Sequence, residues 1–133
     1  MKLSNIYISE HDHNVLHQLI RSLSQKTDTV IRLQGELRRA FVVEDAYIPD
    51  EAIGLNSYVE IEDIDTGEIE KYTLTLPAQA DFDQGRLSVL TPLGAGLLGY
   101  ESGDEIEWPT PGGLRNIRVL NVVRTPVAAN TPI

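Results

Sequence analysis

The chain is predicted to be an α+β protein, with a short N-terminal antiparallel helical hairpin (a coiled coil) followed by an antiparallel β-sheet domain carrying one short helix. Three observations predict this. Apolar residues recur at helical spacing in the first 40 residues. Beyond them, short runs of alternating apolar and polar residues are separated by Gly- and Pro-containing turns. One brief interruption, TPLGAGLLG (91–99), has the punctuation of a helix.

The helical part begins after Ile6–Ile8, where Ser9-Glu10-His11-Asp12 has the form of a capping box. Leu16, Leu19, Ile20 and Leu23 then make one apolar stripe. The polar stretch Ser24–Asp28 interrupts it, and Asp28 can cap a second helix whose stripe is Val30, Leu33, Leu37 and Ala40. Glu36 and Arg39 are placed to pair at i, i+3. Each helix should have about 15 residues and span roughly 23 Å. Helices that short are marginal alone, so the two stripes are expected to bury against each other as a separate arm over residues 1–47.

The sheet domain is expected over residues 48–133, after a connector whose Val42, Val43, Tyr47, Ile48 and Ile53 pack along the sheet. Val59 and Ile61 alternate with Tyr58, Glu60 and Glu62. Asp65-Thr66-Gly67 turns the chain into a second strand with Tyr72, Leu74 and Leu76. Pro77–Gly85 reads as a loop, and Arg86–Val89 as a third strand. Thr91 caps the short helix, Pro92 occupies its first position, and Gly99 ends it in a left-handed turn. Asp104–Trp108, the Pro111-Gly112-Gly113 turn and Leu114–Val123 complete five strands packed on one face. Residues 125–133 are expected to fray.

Composition excludes several classes of function. With 133 residues and 41% hydrophobic content there is material for one modest core. No apolar run reaches the ~18 residues of a membrane span, and no signal peptide opens the chain. The absence of cysteine removes disulfides and thiolate metal sites and favours a cytoplasmic home. Net charge is −9, unevenly placed. Residues 1–43 hold six basic and four acidic side chains, whereas 44–133 hold five basic and sixteen acidic. Between Glu44 and Glu70 there are ten acidic residues and no basic one. Such a body repels phosphate backbones, so direct sequence-specific nucleic-acid binding is not expected. The acidic face either aids solubility or meets a basic partner.

No catalytic constellation emerges. His13 and His17 share a helix face at i, i+4, but no glutamate lies between them and no third ligand is apparent, so no metal site is assigned. Gly94-Ala95-Gly96 and Gly112-Gly113 lack the lysine and spacing of a phosphate loop. No Ser–His–carboxylate arrangement is recognisable, and no cofactor is implied.

The run TPLGAGLLGYESGDEIEWPTPGG (91–113) resembles the C-terminal domain of the Gre transcript-cleavage factors. Those proteins carry a Ser-Pro-led short helix, a Gly-Asp-led strand and a Thr-Pro-Gly-Gly turn in this order. LQGELRRAFVV (33–43), IPDEAIGLNSYVEIEDIDTGE (48–68) and the EW-P-x-PGG ending resemble a branch of the same family with a shortened helical arm. The resemblance implies an FKBP-like head; prolyl isomerase activity does not follow from a fold alone. It implies docking on RNA polymerase near the secondary channel through Leu90, Thr91, Pro92 and Leu93, with threonine where the family has serine. Gre factors also hold a second Mg²⁺ with paired carboxylates at the arm tip. Here the tip residues Gln25, Lys26 and Asp28 include one carboxylate, expected to be engaged as a cap. The expectation is therefore a cytoplasmic, monomeric, non-enzymatic regulator that binds polymerase and competes with Gre-type factors. The alternative is a general protein-interaction module with another partner.

Overall fold

A computed structural model describes residues 6–110 and 112–124. The expected fraying of residues 125–133, and Pro111 of the hairpin turn, lie outside the described residues. Strand β1 (Tyr7–Ser9) leads into α1 (Glu10–Ser22), α2 (Asp28–Arg39) and β2 (Phe41–Val43). There follow β3 (Tyr58–Asp63), β4 (Ile69–Thr75), β5 (Arg86–Ser88), α3 (Pro92–Leu97), β6 (Glu105–Thr110) and β7 (Gly113–Val123).

The helix starts are set by local chemistry. The Ser9 hydroxyl accepts the backbone N–H of Asp12 at 3.0 Å, as the capping-box form implies. At α2 the cap is Thr27, whose hydroxyl accepts from the Val30 N–H at 3.2 Å. Asp28, expected to be the cap, is instead the first residue of the helix. Both residue types cap well, and a one-residue shift in register decides between them. The helices have 13 and 12 residues, shorter than expected, and therefore span about 18–20 Å.

Two three-residue strands that periodicity did not reveal tie the two ends of this segment together. Tyr7 lies opposite Phe41 and Ser9 opposite Val43 in a parallel ribbon, and the Tyr7 and Phe41 rings lie 5.4 Å apart. Nor do the helices keep a core of their own. Leu16, Ile20, Val30, Leu33 and Leu37 belong to one buried cluster with Ile53, Val59, Ile61, Leu97 and Trp108. The connector is only partly packed: Ile48 and Ile53 are buried, whereas Tyr47 is 73% exposed.

The large sheet has the order β5-β4-β3-β7-β6. Its β3–β4, β3–β7 and β6–β7 pairs are antiparallel, but β5 runs parallel to β4, so the sheet is mixed and not wholly antiparallel as expected. The cause is the connection between them. It is long enough, with short 3₁₀ turns at Pro77–Gln79 and Phe82–Gln84, to bring the chain back beside Thr73, so that β5 runs alongside the last three residues of β4. A register shift where β3 meets β7 accommodates Leu120 as an extra residue. It lets Ile117, Val119 and Val122 all turn inward despite their spacing.

Candidate docking site

The segment between β5 and α3 is fixed by a dense set of short-range bonds. The Leu90 N–H donates to Ser88 Oγ at 3.1 Å, and the Thr91 N–H donates to the Ser88 carbonyl at 3.1 Å. Thr91 Oγ1 donates to that same carbonyl at 2.7 Å and accepts from the Gly94 N–H at 3.1 Å. Gly94 is required here, because a Cβ would collide with the Ser88 carbonyl oxygen. The Thr91 hydroxyl is thus engaged on both its donor and acceptor sides. Leu90, Thr91, Pro92 and Leu93 are all half-buried, with Leu90 and Leu93 packed on the core. What this segment offers outward is an apolar ridge around Pro92 on a rigid base.

The rest of α3 is held from beneath. A Cβ on Gly96 would lie 2.6 Å from Trp108 Cδ2, so the helix rests directly on the indole. The guanidinium carbon of Arg32 in α2 lies 5.3 Å from the Trp108 ring centroid, a cation–π distance. Gly99 has φ +84°, and Ile6 stands where its Cβ would be. The sequence-remote α2 and β6 therefore support the short helix, and Ile6 supports the turn that leaves it.

Asp12 is the second anchor, and its role was not legible in the sequence. Its backbone N–H completes the Ser9 cap, while its buried carboxylate Oδ2 accepts the Leu55 N–H at 3.0 Å across 43 residues. Gly54 leaves room for it, since a Cβ there would approach Asp12 Oδ2 to 2.8 Å.

At the other end of the helices, Gln25, Lys26 and Asp28 are exposed. With Thr27 as the cap, the Asp28 carboxylate is not engaged in capping, which corrects the expectation. The tip residues and the Leu90–Leu93 segment belong to separate parts of the fold, and no bond joins them among the described residues. His13 and His17 lie with rings parallel and centroids 6.4 Å apart. Among the described residues, no group of three or more His, Cys, Asp or Glu is placed to hold a metal ion, and no helix is long and apolar enough to cross a membrane.

Four carboxylates of the acidic run, Asp45, Glu62, Asp63 and Glu70, are countered from within. Arg115 of β7 pairs with Glu70 at 2.6 Å and Asp63 at 3.3 Å, and Arg118 with Glu62 at 3.0 Å and Glu105 at 3.1 Å. Arg124 reaches Asp45 at 2.9 Å. Burial alone would raise the Asp63 carboxyl, but the Thr66 N–H, the Arg115 guanidinium and the Asp65 N–H outweigh it and hold the group below its ordinary value. Tyr72 donates its hydroxyl to Glu70 at 2.6 Å. Burial, followed by that bond, pushes its phenol up to about 12.

Residues 48–124 match the family model of the GreA/GreB transcription elongation factor C-terminus, and residues 5–43 match that of the Rnk N-terminus. The chain is 37% identical over 98 residues to the regulator of nucleoside diphosphate kinase of Escherichia coli K12, covering 73% of this chain and 72% of that one. It is 48% identical over 66 residues to transcription elongation factor GreA of Syntrophobacter fumaroxidans, covering half of this chain and 42% of that longer relative. Among solved structures it is similar to the prokaryotic transcription elongation factor GreA/GreB from Nitrosomonas europaea. That match has a TM-score of 0.77 and 36% identity, over 90% of this chain and 98% of that one.

Proposed function

The chain belongs to the GreA/GreB transcription elongation factor family, and from that premise we propose that it regulates transcription by docking on RNA polymerase near the secondary channel. There it competes with Gre-type factors and cleaves no transcript itself. The observation that carries this is the Leu90–Leu93 segment, presented as a half-exposed apolar ridge on the bonded Ser88–Gly94 turn. The sheet region 48–133 is the docking head, an FKBP-like scaffold used for binding and not for isomerisation. Residues 1–47 are the shortened arm, a helical hairpin too short to act at a distant metal centre. Asp28 is its one tip carboxylate between Ser24 and Thr29, and cleavage needs a pair holding a second Mg²⁺. The protein acts as a cytoplasmic monomer.

A stalled elongation complex with labelled RNA tests both halves. RNA that stays full length with this protein alone, and Gre-driven cleavage that falls as this protein is added, are the expected results. Shortened RNA with this protein alone overturns the non-catalytic half. Undiminished Gre cleavage at saturation overturns competition. Pro92→Arg places a charge on the ridge while leaving the helix a reasonable first residue. Its affinity for polymerase should drop by at least ~10-fold while its melting temperature stays within a few degrees of wild type, since hot-spot contacts of ~2 kcal/mol dominate such interfaces.

A further inference from the structure

Among the described residues, three aliphatic hydroxyls and one carboxylate are buried: Ser9, Ser57, Thr75 and Asp12. Three of these are satisfied at close range. Ser9 accepts the Asp12 N–H at 3.0 Å, Ser57 the Gly54 N–H at 2.9 Å, and Asp12 the Leu55 N–H at 3.0 Å. Thr75 is the exception. It is 3% exposed, and its hydroxyl has one contact among the described residues, the Leu87 carbonyl at 3.5 Å. An O–H···O bond is ordinarily about 2.5–3.0 Å long, so this buried hydroxyl is left with most of its capacity unused.

Thr75 lines an open pocket of about 330 Å³ together with Asn56, Thr73, Gln79 and Arg86. Thr73 and Thr75 lie on the side of β4 opposite to the buried Leu74, and β5 lays Arg86 in register with Thr73. Gln79 comes from the turn between those strands, its carbonyl accepting Arg86 Nε at 2.9 Å. Asn56 precedes β3, and its φ of 68° is the one left-handed non-glycine backbone among the described residues. All five side chains can donate hydrogen bonds and none is acidic. The Thr73 hydroxyl and the Gln79 carboxamide make no bond among the described residues.

The Arg86 guanidinium is held but not used up. Its one carboxylate, Asp81, stands at 3.7 Å, whereas the pairs of Arg115, Arg118 and Arg124 are 2.6–3.3 Å long. Asp81 is itself engaged by the Asp83 N–H at 3.2 Å and Gln84 Nε2 at 3.0 Å. Lys71, two residues before Thr73 on the same face, is a second cation with no carboxylate partner among the described residues. Its cross-strand neighbour Glu60 instead accepts the Tyr58 hydroxyl at 2.8 Å.

We propose that this pocket binds an organic phosphate, a small molecule carrying a phosphate monoester. A planar carboxylate is matched by one guanidinium, whereas donors arriving from four chain segments suit the several oxygens of a tetrahedral group. The pocket has the volume of roughly ten waters at ~30 Å³ each, more than a bare phosphate fills. The threonine methyls and the aliphatic stems of Gln79 and Arg86 receive the organic remainder. A net charge of −9 disfavours a long polyanion, but a small anion within roughly 8 Å of Arg86 and Lys71 responds to them first. The proposal does not depend on polymerase being the partner.

The test follows amide chemical shifts of the whole ¹⁵N-labelled chain, in phosphate-free buffer at fixed ionic strength. Inorganic phosphate, phenyl phosphate and phthalate, a dicarboxylate of similar charge, are added separately. Phenyl phosphate should give saturable shifts centred on Asn56, Thr73, Thr75, Gln79 and Arg86, and should bind at least ~3-fold more tightly than either other probe. Arg86→Gln should weaken it by at least ~10-fold. Thr75→Val should weaken it ~3–5-fold while leaving the urea midpoint near wild type, because the internal bond it loses is long. If that variant does not fold, Thr73→Val is read in its place, with the same expected weakening. Shifts that rise without saturation, or that persist unchanged in Arg86→Gln, would overturn the site. Phthalate binding as tightly as phenyl phosphate would overturn the phosphate assignment, and inorganic phosphate binding as tightly would overturn the organic part.

Discussion

The helices and the sheet of this protein handle charge in opposite ways. On β7, both arginines reach across to acidic side chains of other strands, so Arg115 and Arg118 each bridge two carboxylates. On the helices, Arg39 pairs with Glu36, while Arg32 lies over an aromatic ring and Arg38 projects without a carboxylate partner among the described residues. The sheet uses its arginines internally, yet residues 44–133 still hold sixteen acidic side chains against five basic. What joins two regions of such different character is a shared apolar core, with Trp108 meeting Gly96 on one side and Arg32 on another.

The largest effect expected from breaking that union comes from Trp108→Ala, which removes the residue where β6, α2 and α3 meet. Truncating a buried tryptophan costs about 3–5 kcal/mol. Because the cluster is continuous, the loss should fall on helices and sheet together. Urea unfolding should remain a single transition at lower midpoint, and amide exchange should accelerate in α2 and β7 alike. Exchange that accelerates only in α1 and α2 would show that the helices are a separate cooperative unit after all.

A smaller cut goes through Asp12. Asp12→Ala leaves the Leu55 N–H buried without its acceptor, which costs about 2 kcal/mol, whereas Asp12→Asn retains an oxygen and should lose less than half of that. Chemical denaturation of the two variants checks the ratio. Equal losses would mean that the carboxylate acts through charge and not as an acceptor for that N–H.

Features fixed within a few residues were legible in the sequence. Ser9, Thr91, Pro92 and Gly99 announce helix ends because each acts on backbone groups no more than three or four positions away. The period-two runs likewise named the inward residues of β3. Where two candidates stood side by side, as with Thr27 and Asp28, composition could not choose. What stayed hidden joins distant segments: the β1–β2 ribbon, the parallel edge strand β5, and the bond from Asp12 to Leu55. Of the docking segment, the four residues were legible, but the engagement of the Thr91 hydroxyl by Ser88 and Gly94 was not.

The smallest effect probes the sheet side of the comparison through its Tyr72–Glu70–Arg115 chain. The Tyr72 phenol is raised from its ordinary 10.0 to about 12 by burial and by donating to Glu70, whose own charge is held by Arg115. A group raised in the folded state contributes stability that is complete below its unfolded value and is lost as pH climbs to the folded one. Tyr72 should therefore stabilise the protein fully up to about pH 10 and lose that contribution between about pH 10 and 12. Because the side chain is partly exposed, screening reduces its worth to about 1 kcal/mol. Tyr72→Phe should accordingly be less stable than wild type by about that much at pH 8, with the gap closing as pH approaches 12. Tyr58, raised by its bond to Glu60, titrates the same way in both proteins and cancels in the difference. A gap that stays constant from pH 8 to 12 would mean that Tyr72 acts by packing alone, and that the closed charge network of the sheet ends at Glu70.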